Sequence, residues 1–291
     1  MTDPALSAPL RLEGRVAAQA RVSASMLRLD LHLEAPAPAS PGQFCMLNLA
    51  GESAMTLSRP LSILEADGDR LSLLYKVVGR GTRLLADLPP QAQVRVLTPL
   101  GTAFPAPQDD RPRLLLAGGV GLPPLHWWHR VHGRAQDVPC FGARDGADAP
   151  WPLLPSPWRV SVDALRDVPA GRTAVQGNVV ELARGLTAQS GADHVVLACG
   201  PVPLLAAAAR FAAERGWPCH VSLEERMGCG YGVCRGCVAP TPHDGPWRLV
   251  CKDGPVLPAD AVDWDRFGLA PAAAAQAYDA PTRLLPEEDP A

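Results

Sequence analysis

Arg113-Leu114-Leu115-Leu116-Ala117-Gly118-Gly119-Val120-Gly121-Leu122-Pro123-Pro124 is the stretch on which the reading of this chain turns. The stretch Arg113–Ala117, continuously apolar after its first residue, breaks at a glycine-rich turn, as a buried parallel strand does where it delivers its end to a ligand crevice. Downstream, strand-like and helix-like segments alternate. Asp137–Phe141, Trp158–Val162 and His194–Ala198 read as strands, and Leu125–His132, Val179–Gly185 and Pro203–Arg215 as helices. That alternation predicts a parallel, doubly wound α/β sheet. Upstream, Gly14–Ala20, Met26–Leu33, Gln43–Leu49, Leu61–Glu65, Leu71–Val77 and Gln93–Leu97 are short β-type runs set off by Pro and Gly. They predict an antiparallel β-barrel, joined to the sheet by a linker over Pro99–Pro112. From Cys219 the chain is rich in Gly and Cys with little periodicity, the expectation for a small module organised by a metal centre. Pro271–Ala291 is rich in Ala and Pro with an acidic end, which predicts a disordered tail. The expected division is 8–106 for the barrel, 107–218 for the α/β domain, 219–267 for the cysteine-bearing module and 268–291 for the tail.

Composition narrows the function. At 291 residues the chain has room for two ordinary domains and an appendage. A formal charge of -3 with mixed signs offers no basic face for nucleic acid and no polybasic signal for lipid, so the expected partners are small molecules or proteins. The most apolar windows, Leu114–Leu125 and Val195–Phe211, are broken by Gly and Pro and fall short of the ~20 apolar residues of a membrane span. The first residues show no charged start followed by an apolar stretch, so a cytoplasmic location is expected. In that compartment eight cysteines do not imply a disulfide framework. Cys45, Cys140, Cys199 and Cys219 sit in apolar surroundings and read as small buried hydrophobes.

The other four cysteines carry chemistry. Cys229-x4-Cys234-x2-Cys237, followed after thirteen residues by Cys251, has the opening spacing of plant-type [2Fe–2S] ligation. Gly228, Gly230, Gly232 and Gly236 would let the loop curl and aim backbone N–H groups at the sulfurs. A structural zinc site, which favours two short cysteine pairs, and a disulfide pair are the alternatives.

Two further groups suggest nucleotide cofactors. Arg59-Pro60-Leu61-Ser62 joins a cation, a rigid turn and a hydroxyl, a set able to hold a pyrophosphate and a flavin edge. Leu74-Tyr75-Lys76 and Gly79-Arg80-Gly81-Thr82 add backbone N–H groups and a hydroxyl suited to phosphate. The turn through Gly118, Gly119 and Gly121 departs from the GxGxxG fingerprint, and alone would serve packing as readily as a cofactor. Cys199-Gly200-Pro201 closes another strand of the same sheet, so the two strand ends are expected to converge on a nicotinamide. Arg144 would meet a 2′-phosphate or, beside Asp145 and Asp148, simply face solvent, which leaves NAD and NADP both open.

Taken in order, Arg59-Pro60-Leu61-Ser62, Gly79-x-Gly81-Thr82, Gly118-Gly119-Val120-Gly121, Cys199-Gly200-Pro201 and the cysteines ending in Val250-Cys251-Lys252-Asp253-Gly254-Pro255 resemble the ferredoxin reductase superfamily. More narrowly, residues 10–265 resemble the electron-transfer subunits of NAD-linked dihydroorotate dehydrogenases, above all at Leu223–Gly230 and around Cys251. Ala117, where the superfamily often has glycine, and Pro123-Pro124 depart from the pattern. The resemblance implies FAD on the barrel at Arg59, Pro60, Leu61, Ser62, Leu74, Tyr75, Lys76, Gly81 and Thr82. It further implies NAD(P) at the glycine turns and a [2Fe–2S] cluster facing an FMN-containing catalytic subunit of the dihydroorotate oxidase type, within a heterotetramer. Alternatives are a reductase subunit serving a ferredoxin:NADP transhydrogenase, a hydrogenase or a pyrimidine-reducing enzyme, and a non-enzymatic zinc-binding module.

Overall fold

The computed structural model describes residues 8–49 and 57–267, so the expected tail at 268–291 lies outside the described residues. Six antiparallel strands close a barrel: β1 (Leu10–Arg21), β2 (Met26–Leu33), β3 (Phe44–Leu49), β4 (Arg59–Asp67), β5 (Arg70–Lys76) and β6 (Gln93–Leu100), in the order β1-β2-β5-β4-β3-β6. Alternation drives the closure. In β2, Leu27, Leu29, Leu31 and Leu33 point to the barrel interior, where they meet Ile63, Leu71, Leu73, Tyr75 and Val96. β6 runs to Leu100, so its last residues take up the start of the expected linker.

Between β5 and β6, where no element is predicted, the structure forms the short helix α1 (Arg80–Ala86). Its start is closed by Thr82, whose hydroxyl accepts from the backbone N–H groups of Val78 at 2.9 Å and Gly79 at 3.1 Å. Two glycines in three residues masked this helix.

The second domain is a seven-stranded sheet. In chain order it comprises β7 (Arg113–Gly118), α2 (Leu122–His132), β8 (Val138–Ala143), β9 (Arg159–Val162), β10 (Val175–Gln176), α3 (Val179–Thr187), β11 (Val195–Cys199), α4 (Val202–Arg215) and β12 (Cys219–Ser222). Two-residue strands β13 (Val238–Ala239) and β14 (Arg248–Leu249) pair with each other, and β15 (Val256–Pro258) returns to the large sheet, whose order is β10-β9-β8-β7-β11-β12-β15. All neighbours are parallel except β12 and β15. The all-buried Val195–Cys199 has the character of a central parallel strand. Helix α3 starts on Asn178, whose Oδ1 accepts from Val180 N–H at 3.0 Å and Glu181 N–H at 2.9 Å.

Cys219–Ser222 was expected inside the cysteine-bearing module, whereas the structure hydrogen-bonds it beside β11 as a strand of the sheet. Its short alternation carries little signal of its own; pairing with an already buried strand makes it β. The sheet therefore takes in residues past 218.

Two cores flank the sheet, and both take in the barrel's outer surface. On one face Leu64 and Leu74 of the barrel pack with Leu122 and Trp128 of α2. The core of the other face includes Phe44, Met46 and Leu100 of the barrel together with Cys237, Val250 and Cys251 of the module. A latch joins barrel and sheet at the surface: Ala24 N–H donates to Ala147 O at 2.8 Å, and Ser25 Oγ donates to Asp148, which also lies 3.9 Å from Lys76 Nζ.

Candidate functional site

Strand β4 presents Pro60 and Ser62 on the barrel's outer face, opposite Met46 and Phe44 of β3, while Leu61 turns into the barrel. At its head the Arg59 guanidinium lies over Gly81 in the first turn of α1, so close that a Cβ on Gly81 would stand 2.6 Å from Arg59 Cζ. Residues 59 and 81 thus form a single cationic cradle beside helix-start N–H groups, which suits a pyrophosphate. Arg59 Nη1 meanwhile donates to Leu57 O at 2.8 Å.

The other expected flavin contacts divide. Leu74 faces outward into the core shared with α2, and Lys76 Nζ stands beside Asp148. The Tyr75 side chain is turned into the barrel, where its hydroxyl donates to Gln19 Oε1 at 3.1 Å. Burial, then the charge of Asp87, pushes the Tyr75 hydroxyl up to about 12. The Thr82 hydroxyl, read as a phosphate ligand, closes the helix start and donates to Gly79 O at 3.1 Å.

The two glycine turns meet. β7 and β11 are adjacent parallel strands with Ala117 opposite Cys199, and α2 carries the chain from β7 to β8 on the other side, so their ends flank the point where strand order reverses. A Cβ on Gly121 would stand 2.6 Å from Gly200 N, and one on Gly118 would be 2.5 Å from Leu204 Cδ1 and 3.3 Å from Pro201 Cδ. Only bare backbone permits that approach.

Ser222 and Glu224 were not singled out for this crevice. Ser222 lies beside Cys199 in the register. Burial pushes the Cys199 thiol up to about 12, the Ser222 contact opposes this, and the Glu224 charge adds to it. The Glu224 side chain keeps an open surface yet is crowded enough that desolvation, then the Glu225 charge, raises its carboxyl above the usual range. For Ser222 the signal was β pairing, which a four-residue strand hides; Glu224 lies two residues beyond that strand. Arg144 is exposed, and Asp145 is held by Arg166 Nη2 at 2.8 Å.

The four C-terminal cysteines stand in two pairs. Cys234 N–H points at Cys229 Sγ at 3.4 Å, and Cys251 N–H points at Cys237 Sγ at 3.4 Å. Cys237 and Cys251 are buried, whereas Cys234 is exposed. Burial pushes the Cys229 thiol up, but the N–H groups of Cys234, Tyr231 and Val233 and the Cys234 thiol outweigh it and bring it down to about 6. Burial, then the Cys237 thiol, pushes Cys251 up. Among the described residues no three His, Cys, Asp or Glu side chains already converge on one point. The donor set nevertheless fits an iron–sulfur cluster: four thiols, backbone N–H groups aimed at sulfur, and left-handed Gly230 (φ 83°) and Gly232 (φ 90°) curling the loop around them.

A closed antiparallel barrel feeding a switch-point sheet defines the class: the fold is that of ferredoxin reductase-like flavoproteins. It matches an NADH-dependent reduced ferredoxin-NADP oxidoreductase with TM-score 0.71 at 22% identity, over 87% of this chain and 90% of that one. It also matches the ferredoxin reductase of carbazole 1,9a-dioxygenase with TM-score 0.65 at 22% identity, over 75% and 70%. Residues 224–263 match the iron-sulfur cluster binding domain of dihydroorotate dehydrogenase B. The electron transfer subunit of dihydroorotate dehydrogenase B (NAD(+)) from Lysinibacillus sphaericus is 32% identical over 266 residues, 85% of this chain and 96% of that one. The Geobacillus kaustophilus subunit is 36% identical over 230 residues, 76% of this chain and 86% of that one. The chain belongs to the family of dihydroorotate dehydrogenase B electron transfer subunits.

Proposed function

We propose that this chain carries electrons from a catalytic partner that oxidises dihydroorotate, through a [2Fe–2S] cluster and FAD, to NAD+, in pyrimidine biosynthesis. One observation carries the reading: the barrel's outer surface enters both cores, Leu64 and Leu74 packing with α2 and Cys199 on one side and Phe44, Met46 and Leu100 with Cys237 and Cys251 on the other, so the barrel adjoins both the nucleotide sheet and the four-cysteine module. When bound, a flavin exchanges the two electrons of a hydride with nicotinamide and single electrons with an iron–sulfur centre.

The chain's own residues supply position. Arg59 and the N–H groups around Gly81 would hold the pyrophosphate, and Pro60 and Ser62 would contact the ring. Gly118, Gly119, Gly121, Gly200 and Pro201 shape the floor on which NAD lies, with Cys199, Ser222 and Glu224 beside it. Cys229, Cys234, Cys237 and Cys251 hold the irons. The packing of α2 on Leu64 of β4 would shield one side of a flavin held there from water. The domain division follows these roles: barrel for FAD, sheet for NAD, module for the cluster.

The partner in this reading contains FMN, and two such chains assemble with two catalytic subunits. The cytoplasm suits a chain whose eight cysteines are all unpaired thiols. No helix among the described residues is long and apolar enough to cross a membrane.

The test is to purify the tagged chain with its co-expressed catalytic subunit, record the visible spectrum, and assay dihydroorotate-dependent reduction of NAD+. Flavin and cluster absorption with activity that requires this chain is expected. A coloured complex inert to dihydroorotate would remove the pyrimidine assignment, and a colourless protein would remove the electron-transfer reading altogether.

A further inference from the structure

The module does not hang from the sheet alone; it is seated on the barrel at two points. Gly230, next to Cys229, comes so near β3 that a Cβ there would stand 2.8 Å from Met46 Sδ and 3.3 Å from Leu100 Cδ1. After Cys251 the chain docks again: Thr102 N–H donates to Gly254 O at 2.6 Å, Thr102 Oγ1 donates to Val256 O at 2.8 Å, and a Cβ on Gly101 would be 2.7 Å from Gly254 O. Met46 is nearly fully buried between these seats and pairs across the ladder with Pro60 of β4. Met46 therefore touches the loop that carries Cys229 with its side chain, beside Leu100, while its backbone pairs with the strand that carries the flavin motif. Its neighbours on the outer face, Phe44 and Leu100, are apolar and buried in the same core.

We infer that Met46 is the positioning residue that sets the distance between the cluster loop and the flavin-bearing strand, and thereby the rate at which electrons cross between the two sites. This rests on the function proposed above. Electron transfer through protein falls steeply with distance and with any gap in the packing. A flexible, polarisable thioether filling an irregular gap against bare glycine backbone is suited to close it. Gly230 is the complementary half, because any larger residue would push the loop away from Met46.

The test uses the full chain loaded with FAD and cluster, as wild type, Met46→Ala and Met46→Leu. NADH is mixed in rapidly, becoming NAD+ as its hydride delivers two electrons to the flavin. One of these then reduces the oxidised cluster, while the other stays on the flavin with the proton. Flavin bleaching reads the first step and cluster bleaching the second. Met46→Ala is expected to keep its flavin and iron content and its hydride step, but to slow the flavin-to-cluster step by roughly ten- to a hundredfold. Amide exchange at residues 228–232 is expected to rise by roughly tenfold as the loop loses its seat. Met46→Leu, which refills most of the volume, should stay near wild type in both.

Unchanged exchange together with an unchanged cluster step in Met46→Ala overturns the inference. Loss of flavin, or equal slowing of both steps, overturns it as well, because Met46 would then belong to the flavin site or to the general fold. A wild-type chain that holds no reducible cluster sinks the proposed function instead, and in that case the exchange measurement on the same variants still decides whether Met46 seats the loop.

Discussion

The barrel and the cysteine module lie against each other and are held by opposite means. Inside the barrel, Leu29, Leu71 and Leu73 are completely enclosed, and six strands satisfy one another's backbone groups around a closed ring. The module has two paired strands of two residues each and returns to the large sheet through β15, with the rest of its path set by glycine turns, cysteine positions and its seats on Met46, Leu100 and Thr102. A domain with its own core stores its shape in apolar periodicity. A segment without one stores it in a few special residues and borrows stability from its neighbours and from what those residues bind.

The sharpest way to break this contrast is Cys237→Ser. It should abolish cluster absorption and loosen residues 228–251, measured by iron content and amide exchange, while exchange in β2 and β5 stays as in wild type. Faster exchange in the barrel would show that the two regions are not independently held. The converse variant, Leu73→Ala, should lower global stability by about 2–5 kcal/mol in urea unfolding, because it leaves a cavity in a fully enclosed core. Iron content should survive that change. A smaller and more local effect is expected of Arg59→Ala. Removing a charged partner costs about 1.5–3 kcal/mol, so flavin affinity measured by dialysis should fall roughly ten- to a hundredfold with little shift in unfolding. If instead the barrel unfolds more easily, Arg59 supports α1 rather than a ligand.

The same contrast explains what could be read in advance. Met26–Leu33 is a strand in both the sequence and the structure because its alternation already matches the barrel's pleat. The strand ending at Cys199 was legible because a run of apolar residues before a Gly-Pro turn has few other uses. Helix α1 escaped notice because Gly79 and Gly81 read as loop, and the capping by Thr82 becomes visible only when the turn has closed. Cys219–Ser222 was assigned to the module because four residues cannot announce a β partner, and β11 decides the matter by lying beside them.

By itself, the sequence determined the classes of element, the barrel-then-sheet order and the four-cysteine spacing, since each depends on residues close together in the chain. Tertiary structure alone decided that Arg59 covers Gly81, that Gly121 abuts Gly200, that Ser222 and Glu224 stand by Cys199, and that Met46 touches Gly230. These are contacts between distant segments, set by strand register and by the close approach that glycine permits, and no local periodicity encodes them.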